Sequence, residues 1–211
     1  HFSFSNYYNP TRMGFGPLRV INDDKVRAGS GFDPHPHRDM EIITYVRTGS
    51  VIHRDSLGHE GRTGAGDVQV MSAGTGITHA EYADPEEDTT LFQIWIRPDK
   101  TGLAPRWEQA QFPKTPVNDH LPLLVSGRAE DEGQNVLKIH QDAAIYGGVL
   151  VPGAIVTHAL KGRTGAYVIV SAGQVEVNGT ALSQGDGAEI TDESSLRIRA
   201  PQDAEILVIE V

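Results

Sequence analysis

Two short runs carry the residue types and the spacing that hold a metal. In His35-Pro36-His37 the two imidazoles are two residues apart. On a β-strand such residues point to the same face, so both rings can converge on one point. Pro36 removes a ladder donor and marks an edge or strand-entry position. His79-Ala80-Glu81 repeats the spacing with one imidazole and one carboxylate. Two such pairs on two strands of a small barrel could set four N/O ligands around a metal and leave positions open. Open positions belong to a catalytic site, because a metal activates water, oxygen or substrate only where the protein has not filled its coordination sphere. Glu41 shares the parity of His35 and His37 and is a fifth candidate. We expect it to orient a ligating imidazole or bond nearby backbone, without touching the metal.

The elements that must position these residues read as short strands. β-branched and aromatic runs lie at 41–47, 67–71, 91–97, 136–140, 166–171, 174–178, 196–199 and 205–211, separated by turn residues among 23 Gly and 12 Pro. Asn178-Gly179, between Gln174-Val175-Glu176-Val177 and Thr180-Ala181-Leu182, signals a tight hairpin. Sustained helical periodicity is nearly absent. From Pro98 to Pro122 five prolines interrupt the pattern, and this stretch reads as a connector. The chain is therefore expected to be all-β, with two domains: 1–115, holding the suggestive histidines, and 116–211, with strands but few candidate ligands.

The 211 residues suffice for a sizeable core. A balance of 18 Lys+Arg against 28 Asp+Glu gives a formal charge of −10, which repels phosphate backbones and argues against nucleic-acid or acidic-membrane binding. The chain has no cysteine, so any metal site must use nitrogen and oxygen. No apolar run approaches the roughly 20 residues of a membrane-spanning helix, and no targeting segment is visible, so we expect a cytoplasmic protein. The start at His1-Phe2-Ser3-Phe4 suggests that residues preceding it are missing.

The remaining histidines have plainer readings. His53 and His59 flank the turn-prone Asp55-Ser56-Leu57-Gly58 and are expected to face solvent without binding metal. His120 falls in the connector and His140 ends a short strand. Phe32, Met40, Met71 and Trp95 could wall an aromatic substrate pocket, although such residues on strands more often form core. Gly14-Phe15-Gly16 is too weak a signal for nucleotide binding.

Gly29, His35-Pro36-His37 and Glu41 resemble a first cupin motif, and Gly66 with Met71-Ser72-Ala73-Gly74-Thr75-Gly76-Ile77-Thr78-His79-Ala80-Glu81 a divergent second one. This pairing resembles the pirin branch of the cupin superfamily. His1-Phe2-Ser3-Phe4-Ser5-Asn6-Tyr7-Tyr8, Leu18-Arg19-Val20-Ile21-Asn22-Asp23-Asp24, His37-Arg38-Asp39-Met40-Glu41-Ile42 and Phe92-Gln93-Ile94-Trp95-Ile96 extend the likeness, which thins after Phe112. The resemblance implies a bicupin whose N-terminal barrel holds one divalent transition metal through His35, His37, His79 and Glu81. Iron is the first expectation, with Cu, Ni, Mn, Co or Zn also suited to such ligands. The C-terminal barrel offers only His158 near a first motif, and no histidine follows Gly185-Asp186-Gly187-Ala188-Glu189, so we expect it to be structural.

The implied activity is that of a quercetinase. A flavonol such as quercetin reacts with O2, its central ring opens and carbon monoxide leaves, with Glu81 as both ligand and proton acceptor. An alternative of another class is a metal-binding regulator acting through a protein partner, as animal pirins do. A different physiological substrate is a third reading, since fold and ligand set do not identify one. Two barrels in one chain imitate the dimer of a single-cupin protein, so a monomer is expected.

Overall fold

The computed structural model describes residues 1–161 and 164–211. It resolves into two compact units, one formed by His1–Pro113 with Leu137–Gln141 and the other by Lys114–Val136 with Asp142–Val211. Strands dominate both. The only helical turn among the described residues is a 3-10 turn at Ala129–Asp131.

The first unit contains β1 (Leu18–Val26), β2 (Gly31–His37), β3 (Glu41–Thr48), β4 (Ser50–Asp55), β5 (Glu60–Gly64), β6 (Val68–Ser72), β7 (Ile77–Ala83), β8 (Thr89–Ile96) and β9 (Arg106–Ala110). They form two open antiparallel sheets, ordered β1-β8-β3-β6-β9 and β2-β7-β4-β5, in the jelly-roll-like arrangement expected of a cupin barrel. The stretch read as a connector thus contains a strand. β9 fits between Pro105 and Pro113 with no proline inside it, and its edge position beside β6 asks for ladder bonds on one side only. Leu137–Lys138 (β11) belongs to the five-residue segment that returns to this unit, tied there by Asp99 N–H donating to the His140 carbonyl at 2.7 Å and by Gln141 donating to the Arg97 carbonyl at 2.8 Å.

Between the two sheets both ends are apolar, with Val46, Val51 and Leu91 clustered at one and Ile42, Met71, Ala73 and Ile77 at the other. The middle is polar and buried: Thr44, Gln69, Gln93, His53, His79 and Glu81. A buried polar group costs stability unless it is hydrogen-bonded. A core that gives this much of its interior to polar side chains is built around a site.

The second unit contains β10 (Leu123–Ser126), β12 (Ala144–Leu150), β13 (Ile155–Ala159), β14 (Ala166–Ala172), β15 (Gln174–Val177), β16 (Thr180–Ser183), β17 (Gly187–Ile190), β18 (Ser195–Arg199) and β19 (Ala204–Glu210). β10, β12, β19, β14 and β17 neighbour one another in that order, and β13-β18-β15-β16 form the facing sheet. Alternate residues of both sheets, among them Val156, Val168, Val170, Val175, Ile198, Ile206 and Val208, fill one apolar core. The expected hairpin is present: Val177 pairs with Thr180, and Asn178 and Gly179 take φ of 46° and 85°, the left-handed pair that a type I′ turn requires.

Candidate metal centre

β2 is the edge strand of its sheet, where Pro36 costs no ladder bond, and it runs antiparallel to β7. The register sets His35 directly opposite His79 and His37 opposite Ile77. The i,i+2 spacing therefore brings three imidazoles together, with ring centroids 4.9 Å apart for His35–His37, 4.5 Å for His35–His79 and 5.0 Å for His37–His79. One nitrogen from each lies within 4.8 Å of the others, a spacing that a single ion can bridge. His35 Nδ1 donates to the Asp33 carbonyl at 2.7 Å, so its Nε2 carries the lone pair. His79 is buried, and its Nε2 has no hydrogen-bond partner among the described residues.

The electrostatics keep His37 and His79 neutral. Burial, then the neighbouring His35, pulls His37 down to about 4. Burial, then His35, His37 and His53, pulls His79 down to about 3. At neutral pH both present lone pairs, the form a metal accepts.

Glu81 departs from the expected convergence. It groups with His79 and His53 within 4.8 Å, while the cluster containing His35 and His37 does not include it. Its carboxylate is gripped from the facing sheet: Gln69 Nε2 donates to Oε1 at 2.5 Å, Gln93 Nε2 to Oε2 at 2.7 Å, and the Thr44 hydroxyl reaches Oε1 at 3.4 Å. Trp95 Nε1 donates to Gln93 Oε1 at 3.0 Å and fixes that amide in turn. Burial pushes the Glu81 carboxyl up to about 7 against the pull of these donors.

Other expectations are corrected. Of the two roles expected of Glu41, the structure shows the backbone one and not the imidazole one: it bonds the His140 backbone, and its Oε2 accepts from the Ser72 hydroxyl at 2.7 Å. The parity argument fails because β2 and β3 are separate strands, broken at Asp39 with φ of 47°. Met40 and Met71 pack in the core with Ile42, Ala73 and Ile77 and are not in the wall of the cavity that holds His35 and His37. His53 is not solvent-facing; it is fully buried, stacked on the Trp107 indole at 4.7 Å with 7° between planes. His59 is partly exposed, and His120 lies out in solvent. The missed signal was spacing: His53-Arg54-Asp55 is a third i,i+2 pair, set on β4 beside β7, with His53 opposite Glu81 and Asp55 opposite His79.

Phe32 and Trp95 do line a cavity of about 510 Å³, together with Phe4, Asn22, Asp24, Asp33, Gln93, His35 and His37. That volume is within the roughly 300–1,000 Å³ of small-molecule sites. Asp24 and Asp33 are wall carboxylates that sequence reading passed over, and Asp24 is raised by burial and then by Asp23.

In the second unit His158 is tied to a buried carboxylate. Its Nε2 lies 2.8 Å from Glu210 Oε1, while Arg128 Nη2 and the Lys161 N–H reach Oε2 at 3.0 and 2.7 Å. Burial alone would raise Glu210, but these partners outweigh it and hold it at about 2.

Two strand-built jelly rolls in one chain, the first enclosing a histidine cluster beside a cavity, define a two-domain cupin. The Pirin family profile matches residues 1–96, and the profile of the quercetinase C-terminal cupin domain matches residues 123–211. A pirin-like protein of Caulobacter vibrioides is 49% identical over 210 residues, covering 100% of this chain and 90% of the relative. Quercetin 2,3-dioxygenase of Escherichia coli K12 is 43% identical over 211 residues, covering 100% and 89%. The crystal structure of the bacterial pirin YhhW from Escherichia coli in complex with nickel(II) superposes with a TM-score of 0.90 at 43% identity, covering 100% of this chain and 89% of that one. The chain belongs to the pirin family.

Proposed function

We propose that the protein is a metal-dependent dioxygenase that opens the central ring of a flavonol such as quercetin. The observation that carries this reading is a three-histidine cluster of metal-binding spacing at the wall of an aromatic-lined cavity. His35, His37 and His79 would hold one divalent transition metal, with Glu81 adjoining through His79. The donor set fits: three imidazoles, one carboxylate and a buried His79 Nε2 without a partner among the described residues. A nickel-bound relative and another named for quercetin dioxygenation support the same reading.

When bound, such a metal supplies Lewis acidity toward a deprotonated flavonol hydroxyl and a meeting point for O2. The chain's own residues do the rest. Phe4, Phe32 and Trp95 present apolar faces to a planar aromatic ligand. Gln93 reaches from the cavity wall to the Glu81 carboxylate, and Trp95 holds Gln93 in place. Glu81 is the proposed acceptor for the proton that leaves the substrate hydroxyl. An open cavity reaching two of the histidines favours an enzyme over a regulator with an occluded site. Glu81→Gln tests the acceptor role: turnover falls to background with the metal still bound, and full turnover in that variant removes Glu81 from the chemistry.

A further inference from the structure

Behind His79 runs a line of polar side chains that holds no proposed metal and lies outside the cavity lined by Phe4, Phe32 and Trp95. His79 Nδ1 lies 3.5 Å from His53 Nδ1, a long hydrogen bond. His53 Nε2 is 3.0 Å from Asp55 Oδ2, and the same oxygen is 2.8 Å from His59 Nδ1. Asp55 Oδ1 accepts from the backbone N–H groups of Leu57 and His59 at 2.9 and 3.1 Å. The side chains of His53 and Asp55 are wholly shielded, whereas that of His59 is 38% exposed. The line thus leads from the histidine cluster to solvent. Its middle is rigidly packed. His53 is stacked on Trp107, and a Cβ added at Gly61 would come within 2.2 Å of the same indole.

The hydrogen positions in this line follow from its one acceptor-only member. A carboxylate gripped by this many N–H groups is ionised and has no proton to donate. His53 Nε2 must therefore carry the hydrogen that it shares with Asp55. In a neutral imidazole the other nitrogen, Nδ1, is then an acceptor. The hydrogen between the two histidines belongs to His79 Nδ1, which leaves His79 Nε2 a bare lone pair. That is the buried atom without a partner. His35 reaches the same state by a different route, through the Asp33 carbonyl.

We infer that Asp55, acting through His53, is a positioning residue that sets the tautomer of His79 and keeps its Nε2 free for the metal. The inference rests on the metal-centre reading above, and its test separates the two. An Asp55→Asn side chain can donate through its amide. Donation to His53 Nε2 would place the hydrogen on His53 Nδ1, and His79 would then carry its own on Nε2, where the metal should bind.

Nitrogen NMR of histidine-labelled, metal-free protein at pH 7.5 reads the tautomers directly. The expected wild-type spectrum shows His79 protonated at Nδ1 and His53 at Nε2. In Asp55→Asn both tautomers reverse, and affinity for Ni(II), measured by chelator competition, falls about 10- to 100-fold with thermal unfolding still cooperative. Wild-type His79 protonated at Nε2, or His53 doubly protonated, overturns the inference even if the variant does not fold. Unchanged Ni(II) affinity in a folded Asp55→Asn also overturns it. The expected wild-type tautomers without any Ni(II) binding would instead overturn the metal reading.

Discussion

His79 stands at the meeting of three hydrogen-bonded or ring-contact relationships, with His35 across the ladder, His37 beside it and His53 behind it. His79→Ala should abolish stoichiometric binding of Ni(II) or Fe(II) by the protein, measured by elemental analysis after desalting. Retention of one ion per chain would place the centre elsewhere. On the cavity wall Phe32 is 41% exposed and free to meet a ligand face. Phe32→Ala should raise KM for a flavonol about tenfold, some 1.4 kcal/mol of lost apolar contact, with kcat and melting temperature little changed. An unaltered KM would remove this wall from substrate binding.

Among the elements, β2 is the one whose position the site depends on most, because an edge strand is held from one side only. Gly31 permits its approach to β7: a Cβ there would lie 2.2 Å from the Glu81 carbonyl oxygen and 2.6 Å from the Tyr82 Cα, backbone that cannot swing aside. Gly31→Ala should push β2 off β7, weaken Ni(II) binding by tenfold or more and lower the melting temperature. Wild-type affinity in this variant would show that the histidine cluster tolerates displacement of its strand. That His35 and His37 share a face, and likewise His79 and Glu81, was legible because two residues is the strand repeat; that β2 pairs with β7 was not, because register between strands leaves no mark in local spacing. The same rule misled at Glu41, where a left-handed Asp39 ends one strand before the next begins. Local sequence cannot show that break, since Asp is only modestly favoured there. His53 was hidden for another reason. Turn residues follow it, yet the strand carrying it lies second from the edge and faces the opposite sheet. Glu81 shares a face with His79, but which oxygen donors or amides reach it depends on Gln69 and Gln93, which sequence distance does not reveal.

At the scale of the molecule, the two units divide apolar and polar interiors between them. The first surrounds its histidines with amides and hydroxyls, and the second is filled mostly by Val, Ile, Leu and Ala, with the His158–Glu210–Arg128 group among its few buried polar side chains. Glu210 is held at about 2, below its ordinary 4.5, so its contribution is complete above pH 4.5 and is lost as pH falls toward 2. Acid unfolding followed by circular dichroism should show a loss of about 3 kcal/mol across that window, flattened in Glu210→Gln. Arg128 would keep only the half-exposed Asp142, 3.5 Å from its Nε, and lose its buried carboxylate, so Glu210→Gln should also cost about 3 kcal/mol at pH 7. Identical acid profiles for both proteins would show that the group contributes no pH-dependent stability.

The division of apolar and polar interiors fits a first unit that sacrifices packing for chemistry, and that chemistry is the claim most open to direct trial. The measurement is oxygen uptake by anaerobically prepared, metal-reconstituted protein given quercetin, with carbon monoxide assayed alongside and His35→Ala run in parallel. Metal-dependent uptake with matching carbon monoxide release, abolished in the variant, is the predicted result. No uptake by protein with its metal verified in place would contradict the proposed flavonol dioxygenase.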